Sequence, residues 1–109
     1  VKQRTSGVAD KPAMRESELQ RHVEAAAKQL GYMTYHTWNS MRSEPGFPDL
    51  ICVHEETGRM LAVELKRDGK EPTPAQHRWL VAFAGVPGVE CYCWKPADWH
   101  DGTIAEKLR

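Results

Sequence analysis

From Arg15 onward apolar residues return at helical spacing. Leu19, Val23, Ala26, Ala27 and Leu30 fall on one face, and Gly31 stands where a helix would stop. The period then changes. Residues 32–38 are rich in aromatic and β-branched side chains and predict a strand. Residues 39–48, with two serines, two prolines and Gly46, predict a loop. Residues 49–54 and 60–66 predict two antiparallel strands joined through residues 55–59, where Gly58 is available for a positive φ. After a polar loop over residues 67–73, Thr73-Pro74 reads as an N-cap followed by a first-turn proline. That helix runs through Leu80 and Phe83 to the neighbourhood of Gly85. Residues 89–95 alternate as a fourth strand. Residues 96–108 predict one closing helix with Trp99, Ile104 and Leu108 as its apolar contacts. The expected fold class is α/β, a mixed four-stranded sheet flanked by helices in the order αβββαβ with a closing helix. Residues 1–14 are polar without a sustained period and predict a mobile tail ahead of one domain over residues 15–109.

Composition narrows the class without naming a function. A chain of 109 residues suits a single small domain, and 40% hydrophobic with 28% charged residues is ordinary for a globular protein. No apolar run approaches the roughly 18 residues that span a bilayer, and no signal-peptide pattern opens the chain. No membrane association is expected. Three cysteines do not complete a disulfide framework, which predicts a reducing cytoplasm. Cys52, His54, Cys91 and Cys93 depart from zinc-ligand spacing, and the cysteines are expected to behave as small apolar residues. Basic and acidic residues balance at 15 each, so the chain lacks the strongly basic signature of many nucleic-acid binders. The basic residues nevertheless gather near a few segments.

The candidate chemistry lies at Asp49, Glu64 and Lys66. In residues 60–66 the side chains alternate, so Glu64 and Lys66 point to one side while Leu61, Val63 and Leu65 point to the other. An acid and a lysine inside an apolar strand are costly to bury unless something charged binds there. Asp49 opens the preceding strand at its loop end. Two converging carboxylates with a lysine nearby predict a divalent-metal site suited to phosphodiester cleavage. Lys66 is suited to orienting water or offsetting phosphate charge rather than to abstracting a proton, because neighbouring carboxylates oppose a depressed pKa. Gln76, in the first turn of the second helix, is a candidate for touching the phosphate or Lys66. Arg42 and Ser43 in the loop before Asp49 are candidates for DNA phosphate, as are Arg67, Lys70 and Arg78 around the cleft. Trp38 and Trp79 are each open to base stacking or to a core position.

The order αβββαβ, with Gly46-Phe47-Pro48-Asp49 and Glu64-Leu65-Lys66, resembles the PD-(D/E)XK nuclease superfamily and its restriction-endonuclease-like fold. More narrowly, Glu18-Leu19-Gln20, His36-Thr37-Trp38-Asn39-Ser40, the run from Ser43 to Leu50, Val63-Glu64-Leu65-Lys66 and Thr73-Pro74-Ala75-Gln76 resemble the small stand-alone VRR-NUC domains of bacterial viruses and their hosts. The resemblance implies a Mg²⁺- or Mn²⁺-dependent DNA endonuclease in a bacterial or phage-infected cytoplasm. It implies action on branched DNA such as a four-way junction or a flap, leaving 5′-phosphate and 3′-hydroxyl ends. It implies Asp49, Glu64 and the Leu65 backbone carbonyl as direct metal ligands, with Glu18 on the first helix acting through water or a second ion. Glu16 and Glu24 compete with Glu18 for that place. So small a domain offers little surface to a duplex, and two strands need two sites, so a symmetric homodimer is expected. The alternative is a non-catalytic nucleic-acid-binding or assembly module on the same fold.

Overall fold

The computed structural model describes residues 13–38 and 41–109. Helix α1 is Glu16–Gln29, followed by β1 (Tyr32–His36), β2 (Leu50–His54) and β3 (Met60–Leu65). Helix α2 (Pro74–Ala84) leads to β4 (Val89–Trp94), and α3 (Pro96–His100) and α4 (Thr103–Leu108) close the chain. The strands make one sheet in the order β1-β2-β3-β4. The first two pairings are antiparallel and β3–β4 is parallel. A parallel pair needs a crossover, and α2 supplies it. This is the mixed sheet flanked by helices that the apolar periodicity predicts.

The core forms where α1 lies on the sheet. Leu19, Val23 and Ala27 recur every four residues, and all are buried against Leu50, Cys52, Leu61, Val63 and Leu65. Because strand side chains alternate, Ala62 and Glu64 face the other way, yet both are also buried, since β3 is an inner strand beneath α2. Glu64 is thus the polar exception in an apolar strand. Cys52 belongs to the α1-side core. Cys91 pairs with Ala62 and Cys93 with Glu64 on the opposite face, and all three cysteines are free.

Gly31 ends α1 at a φ of 97°, and a Cβ there would lie 2.7 Å from His54 Nε2. The His54 ring uses that space. Its Nδ1 accepts the Glu56 and Thr57 N–H groups at 3.2 Å each. The proton therefore sits on Nε2, which donates to the Leu30 carbonyl at 2.8 Å. One imidazole joins the C-terminus of α1 to the β2–β3 hairpin.

Two expectations are revised. Strand β1 stops at His36, because Thr37 donates instead to the loop, through its N–H to Asp49 O and through Oγ1 to Pro48 O, both at 2.9 Å. The single closing helix is two short helices, broken at Gly102 with φ 86°. Asp101 Oδ1 accepts the Thr103 N–H at 2.9 Å to start the second. Of the expected tail over residues 1–14, residues 1–12 lie outside the described residues, and Met14 packs against the core. Among the described residues, no helix is long and apolar enough to cross a membrane.

Candidate active site

Asp49 follows the buried Pro48 at the mouth of β2, one step beyond the Leu50–Val63 pair, so it stands opposite Glu64. Two contacts fix it there. Its Oδ2 accepts the Leu65 N–H at 2.8 Å, and its backbone carbonyl accepts the Thr37 N–H at 2.9 Å. The loop before it is pressed onto the start of α2. Gly46 has φ 84°, and a Cβ there would lie 2.5 Å from the Ala75 carbonyl carbon and 2.7 Å from Gln76 N. No side chain fits in that gap, which is why glycine occupies it. Phe47 then meets Trp79 and Phe83 edge-on at 5.1 and 5.9 Å, and Trp79 Nε1 donates to Pro45 O at 3.2 Å.

Glu64 is only 1% exposed, and it is hydrogen-bonded to Asp49. Burial, the Asp49 charge and a hydrogen bond to Asp49 push its carboxyl up to about 9, against a small opposing effect of Lys66. Burial also raises Asp49, offset by the Leu65 N–H and by the proton Glu64 donates. Both carboxyls are thus pushed above their ordinary range, as two buried acids side by side should be. The second Glu64 oxygen, Oε1, is buried and has no hydrogen-bond partner. A buried, unsatisfied carboxylate oxygen beside a second carboxylate is unfavourable in the protein alone and suits a hard cation.

Of the three α1 glutamates in competition, two are engaged within the helix itself. Glu18 Oε1 accepts the Arg15 N–H at 2.9 Å and caps its own helix, and Glu24 Oε2 accepts from Gln20 Nε2 at 3.0 Å. Glu16, exposed at the start of the helix, is the α1 carboxylate whose charge acts on the pair. Its charge raises both Asp49 and Glu64, and its Oε2 accepts the Arg67 N–H at 3.2 Å just beyond Lys66. Glu16 is exposed in the first turn, three residues before Leu19, and the half-buried Glu18 lies about 160° around the helix from it.

Lys66 is half-buried, its ammonium lowers both carboxyls, and its N–H donates to Trp94 O at 3.0 Å. Gln76 Oε1 accepts the Thr73 N–H at 2.8 Å as part of the α2 cap, and its backbone N lies against Gly46. Arg42, Arg67, Lys70 and Arg78 are exposed, and Ser43 is half-buried. Arg78 lies farther along α2 and lines a groove with Glu44, Pro45 and Trp79. The structure thus sets Asp49 against Glu64 with the charges of Lys66 and Glu16 acting on both, presses the backbone of Gln76 against the Gly46 loop and engages Glu18 in its own helix cap. Among the described residues, no three His, Cys, Asp or Glu side chains converge as a ready-made metal cage.

Comparison with known proteins agrees with this geometry. The chain matches the VRR-NUC domain over residues 4–93. A solved structure described as a VRR-NUC domain shares its fold with a TM-score of 0.68 at 22% identity, covering 84% of this chain and 96% of that one. A VRR-NUC domain protein aligns with a TM-score of 0.59 at 23% identity, covering 90% and 93%. The Holliday junction resolvase Hjc of Archaeoglobus fulgidus aligns with a TM-score of 0.51 at 22% identity, covering 72% of this chain and 66% of the resolvase. The fold is therefore restriction-endonuclease-like. No curated protein matches the chain.

Proposed function

The chain belongs to the VRR-NUC domain family of the PD-(D/E)XK nuclease superfamily, and from that premise we propose that it is a Mg²⁺- or Mn²⁺-dependent DNA endonuclease selective for branched DNA. The observation that carries the proposal is the Asp49–Glu64 pair set side by side, with the buried and unpartnered Glu64 Oε1. A bound divalent ion would supply Lewis acidity at the phosphate and lower the pKa of water. Asp49, Glu64 and the Leu65 carbonyl would hold it, and Glu16 would act through water in the place expected of Glu18.

The remaining work falls to the chain's own groups. Lys66 orients the attacking water and offsets negative charge developing on the phosphate. The free NH₂ of Gln76 donates to a phosphate oxygen. Arg42, Ser43, Arg67, Lys70 and Arg78 grip the flanking backbone and position it without reading sequence. Hydrolysis leaves a 5′-phosphate and a 3′-hydroxyl. A homodimer would present two such centres to two strands.

The proposal is tested by incubating the protein and its Glu64→Ala variant with labelled four-way junction, flap, duplex and single-stranded DNA, in Mn²⁺, Mg²⁺ or EDTA. Metal-dependent cutting by the wild type alone, strongest on a branched substrate, is the expected result. Binding without cutting on every substrate would favour a non-catalytic module. A monomer by light scattering, with and without DNA, would overturn the dimer.

A further inference from the structure

The four tryptophans divide by environment. Trp94 is in the core, Trp99 stacks on His22 with ring centroids 5.1 Å apart, and Trp79 is held by Pro45, Phe47 and Phe83. Trp38 is 81% exposed, with its indole tilted against the His36 ring at 4.1 Å. Core packing does not account for an indole left in water.

Its position is fixed by its neighbour. Thr37 is clamped twice to the segment that carries Asp49, by N–H to Asp49 O and by Oγ1 to Pro48 O, at 2.9 Å each. Consecutive Cα atoms are about 3.8 Å apart, so Trp38 stands within about two residue lengths of Asp49 along a segment that cannot slide. His36 pairs with Leu50, so its ring and the Trp38 indole tilted against it stand on the α1 side of the sheet end, flanking the Asp49–Glu64 carboxylates from the opposite face.

We infer that Trp38, backed by His36, is a stacking platform for an unpaired nucleobase flanking the phosphate held at the Asp49–Glu64 centre. The inference deepens the nuclease reading and rests on it. Stacking on an aromatic face is indifferent to base identity but needs a base whose face is free. In an intact duplex the faces are occupied by neighbouring pairs. At a single-stranded arm, a flap or an opened branch point they are available. The platform therefore selects DNA shape rather than sequence.

The test is equilibrium binding in EDTA, where no cleavage intervenes. The probes are DNA duplexes carrying 2-aminopurine either in a single-stranded overhang or in a blunt paired end, and the proteins are wild type, Trp38→Ala and Trp38→Phe. The expected result is quenching of the unpaired 2-aminopurine by wild type. The ratio of overhang to blunt affinity should fall on the order of tenfold in Trp38→Ala. Trp38→Phe should recover most of that ratio, because it keeps an aromatic face. An unchanged ratio in Trp38→Ala overturns the platform, as does Trp38 emission that DNA leaves unmoved. Cutting by wild type with an unchanged ratio would remove the platform and leave the nuclease standing. A fallen ratio in a protein that never cuts would keep the platform and remove the nuclease.

Discussion

The backbone N–H of Leu65 donates to Asp49 Oδ2 at 2.8 Å, so the residue after one acid of the pair fixes the other. Removing this acceptor and removing its charge are separable. Asp49→Asn keeps an oxygen for Leu65 and should fold with near-native stability while losing at least about a hundredfold in cleavage. Asp49→Ala also orphans that N–H and should lose a further 1–3 kcal/mol, roughly, of stability. Urea denaturation of both variants beside cleavage rates checks the split. Equal stability of the two would show that the hydrogen bond contributes nothing.

Glu64 should make the metal-free protein less stable as pH rises. Its carboxyl has an ordinary value near 4.5 and sits at about 9 when folded, so between these the folded state holds a proton that the unfolded state has released. Stability is then full below 4.5 and declines towards 9. Glu64→Gln keeps a donor to Asp49 without the ionisation and should flatten that decline. Melting temperature against pH in EDTA measures both. Adding Mn²⁺ at pH 7.5, roughly mid-window, should raise the wild-type melting temperature and leave Glu64→Gln unmoved.

Glu16 and Glu18 should separate function from folding. Glu16→Gln should weaken Mn²⁺ binding by calorimetry and slow cleavage about tenfold or more, with little change in stability. Glu18→Ala should lose roughly 0.5–1 kcal/mol through the lost cap and leave metal binding in place. The opposite pattern would return the role to Glu18.

Arg59 should govern the C-terminal helix. Its guanidinium takes both Glu90 oxygens at 2.8 Å and also donates to the carbonyls of Lys107 and Arg109, at 2.7 and 3.1 Å. That contact holds Glu90 down to about 2 from an ordinary 4.5, so its stabilisation is present above 4.5 and is lost as pH falls towards 2. The pair is about one-third exposed, so Arg59→Ala should lose only about 1–2 kcal/mol, with faster amide exchange over residues 103–108. Unchanged exchange there would contradict it.

What the sequence disclosed follows the range of the interaction involved. Helix α1 was readable because Leu19, Val23 and Ala27 repeat at one helical period and all go inward, and α2 because Thr73 and Pro74 act locally as cap and first turn. Asp49 and Glu64 were readable because a charge inside an apolar strand is anomalous wherever the strand lies. The choice among the α1 glutamates stays open in the sequence because it depends on which stripe meets the sheet, and Glu16 and Glu18, two residues apart, lie on nearly opposite faces. The break at Gly102 and the release of Trp38 from β1 depend on contacts with Thr103 and with Pro48 and Asp49 that no local pattern announces. The close approach of Gly46 to Ala75 is likewise tertiary, although the glycine itself was in plain view.

The most direct test of the central claim is single-turnover cleavage of a 5′-labelled four-way junction by wild type and Glu64→Gln, each in Mn²⁺ and in EDTA. The pair predicts strand cutting by wild type in Mn²⁺ alone, with 5′-phosphate ends, and loss of at least about a hundredfold in Glu64→Gln despite an intact fold. Equal cutting by both proteins, or cutting that persists in EDTA, would contradict it.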